Sequence, residues 1–559
     1  MRVLIFHGYL LRGTGSNVYN AELARALAET GHDVHLLCQD REPDALDFVD
    51  AVGDWNSGEL QVRELDRGRD AGWGSCTVYR PPIADLLPVY VADRYEGFTA
   101  KTFDQLTDEE LEFYIRRNVM AVSDVARRAE VECALANHMV MGPFILSRGL
   151  PDGVPYAVKV HGSAMEYTVR PHPRFLPYAV EGLSKAQTVL VGSRHIAERT
   201  WDTLRIKGLE ERIFLGPPGV DVKRFRLRRG EQRAVLEEAA ENVYGLPRNG
   251  YGPAAAAATA GLYDRVRAAA RTEGLMDYAE IADAIAGMQL GYETAGIDPA
   301  APDRLRSLAR SPESPIVLYV GKLIVSKGVD LLLGAWPLVR RDYPAAQLAI
   351  AGFGAYREGL EMLASALSDG DLTTARWIAA GGRAFEGGEA GTLDYLLAFF
   401  DSLDGASRDE YLAAAAGMRD SIHWFGRLEH DVLADVVPAA ACQVVPSTFP
   451  EAFGMVAAEA AACGVPPVCA AHSGLSEVTA ELEKGMSGVA ASLLSFELGP
   501  QAVSKLAGRT HGWLAMGKAQ RDEVVVRLVD VAQKRFSWDG VARDVIVAAR
   551  GDHAALRRP

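Results

Sequence analysis

MRVLIFHGYLLRGTGSNVYNAELARALAETGHDVHLLC, residues 1–38, sets the architecture of the chain. Val3–Phe6 is a short apolar run ending at a glycine turn, which predicts a strand buried on both faces. Asn20–Thr30 has helical spacing, with Leu23 and Leu27 on one face. Gly31 stops that helix, because glycine tolerates the left-handed conformation that follows a last turn. Val34–Cys38 is a second strand. Strand, helix, strand is one βαβ unit, so an α/β fold with an open parallel sheet is expected. Ala134–Ala136, Tyr156–Val160 and Thr188–Val191 read as further strands of that sheet.

The pattern starts again near Pro315. Ile316–Gly321 is a strand, Val329–Val339 a helix and Gln347–Ala351 the next strand. Ile422–Phe425 and Gln443–Val445 follow. Two doubly wound units in one chain predict a ligand in the cleft between them. Two stretches interrupt this scheme. Arg226–Ser314 carries helical patterns at Gln232–Asn242, Leu262–Arg271 and Tyr278–Met288, and its Gly/Pro/Ala-rich Gly245–Ala260 reads as a flexible loop. Ala366–Asp420 is a second, mostly helical insertion. Neither holds a legible motif; each reads as decoration, a lid or a partner surface.

The chain has 559 residues, a net charge of −15 and 48% hydrophobic residues. Length alone suggests about three or four domain-sized units of an ordinary globular protein. The acidic balance argues against nucleic acid as a partner. One basic cluster stands out, Lys223, Arg224, Arg226, Arg228 and Arg229. It reads as a solvated linker, with peripheral contact to an anionic membrane or contact with a phosphorylated acceptor as the sharper alternative. The six cysteines, Cys38, Cys76, Cys133, Cys442, Cys463 and Cys469, form no CxxC pair. Sparse cysteines of this kind suit a reducing cytoplasm. The first residues do not read as a signal peptide, and no apolar run reaches the ~18–20 residues of a membrane helix. A cytoplasmic location is therefore expected. Oligomeric state is not legible.

The chemistry concentrates in Pro446–Gly464, PSTFPEAFGMVAAEAAACG. A strand ends at Pro446, a polar turn follows, and a helix starts near Met455. Glu451 lies in the loop and Glu459 on the helix. Carboxylates accept charge-assisted hydrogen bonds from vicinal hydroxyls, and free N–H groups at a helix start hold phosphate. The plainer alternative is a helix-start carboxylate and a solvated helix residue. Lys322 and Lys327 follow a predicted strand, where two cations suit a diphosphate or simply face solvent. His161 ends a strand, as do His7 and His138, which could line an acceptor pocket. Asp369-Gly370-Asp371 falls in an insertion and reads as a turn. No metal site is expected, since metal-binding carboxylates belong at a strand end near the phosphates.

Pro446–Gly464 resembles the E-x7-E signature of family 4 glycosyltransferases. Further pieces follow in that family's order. Gly321-Lys322-Leu323 with Lys327-Gly328 is similar to its G-R-L-x-x-x-K-G segment. Gly426-Arg427-Leu428 resembles its nucleobase loop, and Gly219-Val220-Asp221 with Phe225 its N-G-V-D-x-x-x-F passage. Val160-His161-Gly162 resembles its strand-end histidine, Gly13-Thr14-Gly15-Ser16 its first glycine loop, and Phe536-Ser537-Trp538 its closing helix. The resemblance covers 1–225, 315–365 and 420–550. Two departures stand out. Lys322 replaces the usual Arg, which keeps the charge and loses the bidentate fork, and GTGSN replaces a plain double glycine.

This resemblance implies a GT-B fold, two Rossmann-like domains facing across a cleft, with two mostly helical insertions. Residues 1–220 with the helix 536–550 would bind the acceptor, 226–314 would be a helical insertion, and 315–535, interrupted by 366–420, would bind the donor. The implied activity is retaining transfer of a hexosyl group from a nucleoside diphosphate sugar, as co-substrate without a further cofactor, to an unidentified acceptor hydroxyl. The implied catalytic residues are His161, Lys322, Lys327 and Glu451. The implied donor contacts are Gly15, Ser16, Gly321, Arg427, Leu428, Phe453, Gly454, Met455, Val456 and Glu459. Three rivals stay open: an NAD-linked oxidoreductase, a nucleotide-sugar epimerase, and a sugar- or partner-binding scaffold without turnover. For the oxidoreductase, Asp40 stands where a dinucleotide fold keeps its acid, but Val18 replaces its third glycine.

Overall fold

The structure, a computed structural model, describes residues 1–12, 15–68, 72–90, 95, 97–228, 232–288, 296–311 and 313–559. Two compact units emerge, Met1–Asp221 with Lys534–Pro559, and Val222–Gln533. Gly13 and Thr14 of the glycine loop and Arg229 of the basic cluster lie outside the described residues.

The strands of the first unit are β1 (Arg2–Phe6), β2 (Asp33–Leu37), β3 (Ala51–Asn56), β4 (Glu59–Glu64), β5 (Cys76–Arg80), β6 (Leu86–Val89), β7 (Thr99–Thr102), β8 (Cys133–Asn137), β9 (Tyr156–Val160), β10 (Thr188–Val191) and β11 (Ile213–Leu215). Nine of them form one sheet, ordered β11-β10-β9-β8-β1-β2-β5-β3-β4, and β6 and β7 form a small separate pair. Only the β3–β4 hairpin pairs antiparallel within the nine. The first helix spans Gly15–Glu29, starting five residues before the apolar periodicity does, and Leu23 and Leu27 are wholly buried on it. The helix Trp538–Arg550 belongs to this unit. Val220 N–H donates to Phe536 C=O at 2.6 Å. A Cβ on Gly219 would lie 2.4 Å from the Trp538 ring, so glycine there lets the passage cross the indole.

The second unit holds β12 (Ile316–Val320), β13 (Gln347–Ala351), β14 (Ile422–Gly426), β15 (Cys442–Val445), β16 (Pro467–Ala470) and β17 (Ser495–Phe496) in one parallel sheet ordered β14-β13-β12-β15-β16-β17. The order reverses between β12 and β15, which places a topological switch point at the ends of those strands.

Both insertions pack into this second unit rather than decorating it. Residues 245–260 are not one flexible loop: Pro253–Ala269 is a helix. Proline at its first position and the alanine run behind it favour helix strongly, and outweigh the breaker reading of Gly/Pro content. Asp369 accepts from Tyr263 Oη at 3.1 Å, and Asp371 caps the helix Leu372–Gly381 while pairing with Arg271 and Arg267. The Asp369-Gly370-Asp371 turn thus joins the two insertions. Tyr411 donates to Gly334 C=O at 2.9 Å, so the second insertion covers the helix Val329–Asp342. The basic cluster is not a freely solvated linker either. Arg224 pairs with Asp431 at 3.0 Å, and Arg228 pairs with Glu238 and Asp435.

Candidate functional site

In the second unit, three loops at the sheet's C-terminal end are stitched together by their backbones. Gly321 N–H donates to Ala351 C=O at 3.1 Å, Leu323 N–H to Phe353 C=O at 2.7 Å, and Gly352 N–H to Gly426 C=O at 2.8 Å. Such close approach excludes side chains. A Cβ on Gly352 would sit 2.1 Å from Gly321 C=O, and one on Gly354 2.4 Å from Leu323 C=O. Gly328 adopts φ +66° beneath Pro446, whose C=O a Cβ would meet at 2.1 Å. The K-G pair thereby presses against the turn that carries Glu451.

Lys327 and Glu451 meet directly as an ion pair, both partly exposed. Glu451 also accepts from Ser447 Oγ at 2.7 Å, and its N–H donates to Ser473 Oγ at 2.9 Å. His472 Nε2 donates to Ser447 C=O at 2.7 Å. Ser473 and His472 were missed by the sequence reading, although a polar pair directly after an apolar strand was the signal available. Lys322 is exposed at the loop's start, and Tyr319 Oη donates to its C=O at 2.8 Å. The second insertion reaches this loop as well: Glu386 accepts the Val325 N–H. No motif announced Glu386.

Gly454, at φ +135°, opens the helix Met455–Ala462, and Met455 and Val456 form its first turn. Their N–H groups have no intrahelical acceptor and are the donors available to an anion. Phe453 and Leu428 are buried. Glu459 is 5% exposed, which excludes a solvated role. It faces His430 Nε2 at 3.5 Å. Burial opposes charge on His430, but the Glu459 carboxylate outweighs it and raises the imidazole pKa. Arg427 pairs with Glu429 at 2.7 Å and lies 5.3 Å from the Phe353 ring centre.

In the first unit, three adjacent strands β9, β8 and β1 run out into His161, His138 and His7. Ring centres lie 4.8 Å apart for His161–His138 and 6.3 Å for His138–His7. A directional hydrogen-bond chain links two of them. Asn17 donates to Arg12 C=O at 2.7 Å, and His7 Nε2 donates to Asn17 Oδ1 at 3.0 Å. Asn20 donates to Ser16 C=O at 2.8 Å and to His7 Nδ1 at 3.0 Å. Asn137 donates to Asn20 Oδ1 at 2.6 Å and accepts from His161 Nε2 at 2.8 Å. The carbonyl acceptors orient each amide, so His161 is left with Nδ1 as its acceptor. Burial, then His138, Lys159 and His7, hold His161 well below its ordinary pKa. Burial likewise lowers His138, and lowers His7 to about 4 and Lys159 to about 7. The first helix thus connects Ser16 to His161. Gly15 starts that helix with open space where a Cβ would stand.

Asp40 is occupied structurally. It accepts from Leu11 N–H at 2.9 Å and Glu42 N–H at 3.1 Å, and faces Arg12 at 3.6 Å. A dinucleotide ribose would have to compete for those oxygens. All six cysteines are buried free thiols. No described helix is long and apolar enough to cross a membrane.

Comparison with known proteins agrees with this geometry. Residues 302–373 and 390–492 match the family Glycosyl transferases group 1, and residues 14–204 match the Glycosyl transferase 4-like domain. The chain belongs to the family 4 glycosyltransferases and has their GT-B fold. It is 30% identical over 259 residues to a GDP-mannose-dependent alpha-(1-6)-phosphatidylinositol monomannoside mannosyltransferase of Mycobacterium tuberculosis, covering 46% of this chain and 53% of that one. It is 28% identical over 273 residues to a D-inositol 3-phosphate glycosyltransferase of Segniliparus rotundus, covering 48% and 46%. The chain thus spans about half the length of the curated relatives it matches. Sucrose-phosphate synthase from Thermosynechococcus elongatus superposes with a TM-score of 0.52 at 17% identity, covering 99% of both chains. HepE from Anabaena in complex with UDP gives 0.53 at 11% identity over 98% of each.

Proposed function

We propose that the protein is a retaining hexosyltransferase that moves a sugar from a nucleoside diphosphate to an acceptor hydroxyl without a metal. The observation that carries this reading is the Lys327–Glu451 pair beside the free N–H groups of Met455 and Val456. Lys327, Lys322 and those N–H groups take the charge that develops on the departing diphosphate. Diphosphate binding engages Lys327, and Glu451 turns to the sugar hydroxyls, where an ionised carboxylate is a strong acceptor. Glu459 serves the ribose hydroxyls. His161, neutral and with Nδ1 as acceptor, receives a hydrogen bond from a sugar hydroxyl. The leaving phosphate oxygen takes the acceptor's proton as the new bond forms on the same face. Among the relatives' printed activities, GDP-mannose as donor and inositol phosphates as acceptors head the panel to test.

A donor-hydrolysis screen reading nucleoside diphosphate release tests this directly. Release from one nucleotide sugar, accelerated by an acceptor and lost in Lys327→Ala and Glu451→Gln, supports it. A glycosyl ester trapped on a carboxylate would overturn the same-face step. Donor binding with no turnover would leave a scaffold, and NAD binding in its place an oxidoreductase.

A further inference from the structure

A cavity opens beside the stitched loops of the second unit, between Gly352, Gly354 and Gly426 on one side and Tyr251 and Asp298 of the first insertion on the other. The insertion is bonded into this wall as an added edge. Asp298 N–H donates to Phe425 C=O at 2.8 Å, and Arg427 N–H donates to Gly296 C=O at 2.9 Å. Arg357, which also lines the cavity, lies with its guanidinium carbon 4.1 Å from the Trp424 ring centre and 4.5 Å from that of Tyr251.

The charges of the wall are consumed on one another, with one exception. Asp298, 1% exposed, pairs with Arg357 and Arg304 at 3.2 Å each and accepts the Tyr251 N–H at 3.0 Å. Glu361 pairs with Arg357 at 3.0 Å. Glu358, only 4% exposed, lines the same cavity and forms no ion pair among the described residues. Burial raises its carboxyl to about 7, against the pull of its own backbone N–H and of Arg357. A buried acid that no neighbour neutralises is costly unless a ligand satisfies it.

The cavity adjoins Gly426-Arg427-Leu428 and, through Gly352, the Gly321–Lys327 loop. On the nucleotide-sugar reading above, on which this inference rests, that is where the donor's base lies. We propose that Glu358 reads the edge of that base and selects guanine, with residues 296–298 of the first insertion closing the far wall. The reason is donor count. Guanine offers N1–H and the N2 amine side by side, matching the two oxygens of one carboxylate. Uracil offers a single N–H between two carbonyl oxygens that repel the acid. Adenine sets an acceptor beside its amine.

Calorimetric titration of the whole protein with GDP, IDP, UDP and ADP tests this. IDP keeps N1–H and lacks the N2 amine. The expected order is GDP, then IDP, then UDP and ADP, with GDP about tenfold to a hundredfold tighter than UDP, the span of one good bidentate base contact. Glu358→Gln keeps the shape but replaces one acceptor by a donor. It should erase most of the GDP advantage, weakening GDP and relieving the repulsion that holds UDP off. UDP or ADP binding as tightly as GDP, or a Gln variant that keeps the full GDP preference, overturns the proposal while the glycosyltransferase reading stands. Should the variant not fold, the ranking of the four diphosphates on the native protein still decides. Failure of all four to bind removes the donor-site reading itself, and this inference with it.

Discussion

In the first unit three neighbouring strands run out into histidines that burial keeps uncharged, and the lysine behind them is lowered to about 7. In the second unit the corresponding strand ends carry a partly exposed Lys327–Glu451 pair, an exposed Lys322 and open helix N–H groups. The two sheets share parallel α/β construction, yet one ends in hydrogen-bond direction without charge and the other in charge. An uncharged histidine chain can orient hydroxyls and report little to a passing anion. Lysines and a helix start can hold a diphosphate.

Substitutions that strike the charged end should have the largest effect. Lys327→Ala and Glu451→Gln are each expected to lower nucleoside diphosphate release by about 100- to 1,000-fold, and turnover within tenfold of the native protein would dissolve the contrast. His161→Ala, at the uncharged end, should cost about 10- to 100-fold in kcat, with binding of the bare nucleoside diphosphate unchanged in calorimetry. Asn137→Ala keeps His161 but removes the amide that orients it and links it to Asn20. A loss of about tenfold is expected, seen in kcat more than in donor KM. An equal loss in both would show that Asn137 merely supports the fold.

The smallest effects are in stability, and they have opposite signs in the two units. Lys159 has a folded pKa of about 7, below its unfolded value of about 10.4. The unfolded chain therefore binds the extra proton between those values, and stability rises with pH across that window, by at most about 1.4 kcal/mol per pH unit. Asp330 is buried at the start of the helix Val329–Asp342, and burial raises its carboxyl to about 7. Its stabilising contribution is full below the unfolded pKa and is lost as pH rises through about 7. Denaturant titrations across pH should find that Lys159→Met flattens the alkaline rise and that Asp330→Asn removes the neutral-pH loss. Identical pH curves for native and variant proteins would contradict these environments.

Much of this was legible in the residues. The βαβ periodicity of residues 1–38, the restart at Pro315, and the loops around Lys327 and Glu451 all depend on near neighbours in the chain. Apolar spacing specifies strands and helices locally, and glycine marks where backbones must approach. The same local logic fails at Gly245–Ala260, where the helix propensity of the alanine run outweighs the glycine and proline content and Pro253–Ala269 is helical. It also had no grip on the long-range partners. His472, Ser473, Glu386 and Glu358 carry no motif.

The chain's own order of residues was enough to establish the family, the two parallel α/β units, and the types of group that would handle a diphosphate. Folding alone could bring Glu386 onto the loop before Lys327, set Asp298 against Phe425 and Arg304 against Trp424, and align three histidines at adjacent strand ends. The physical reason is that local sequence sets period and turn, while strand order and the packing of inserted helices are settled by burial of surfaces distant in sequence. The residues 1–38 therefore announce a parallel sheet. They do not say that the sheet orders β9, β8 and β1 side by side, and that adjacency is what brings His161, His138 and His7 together.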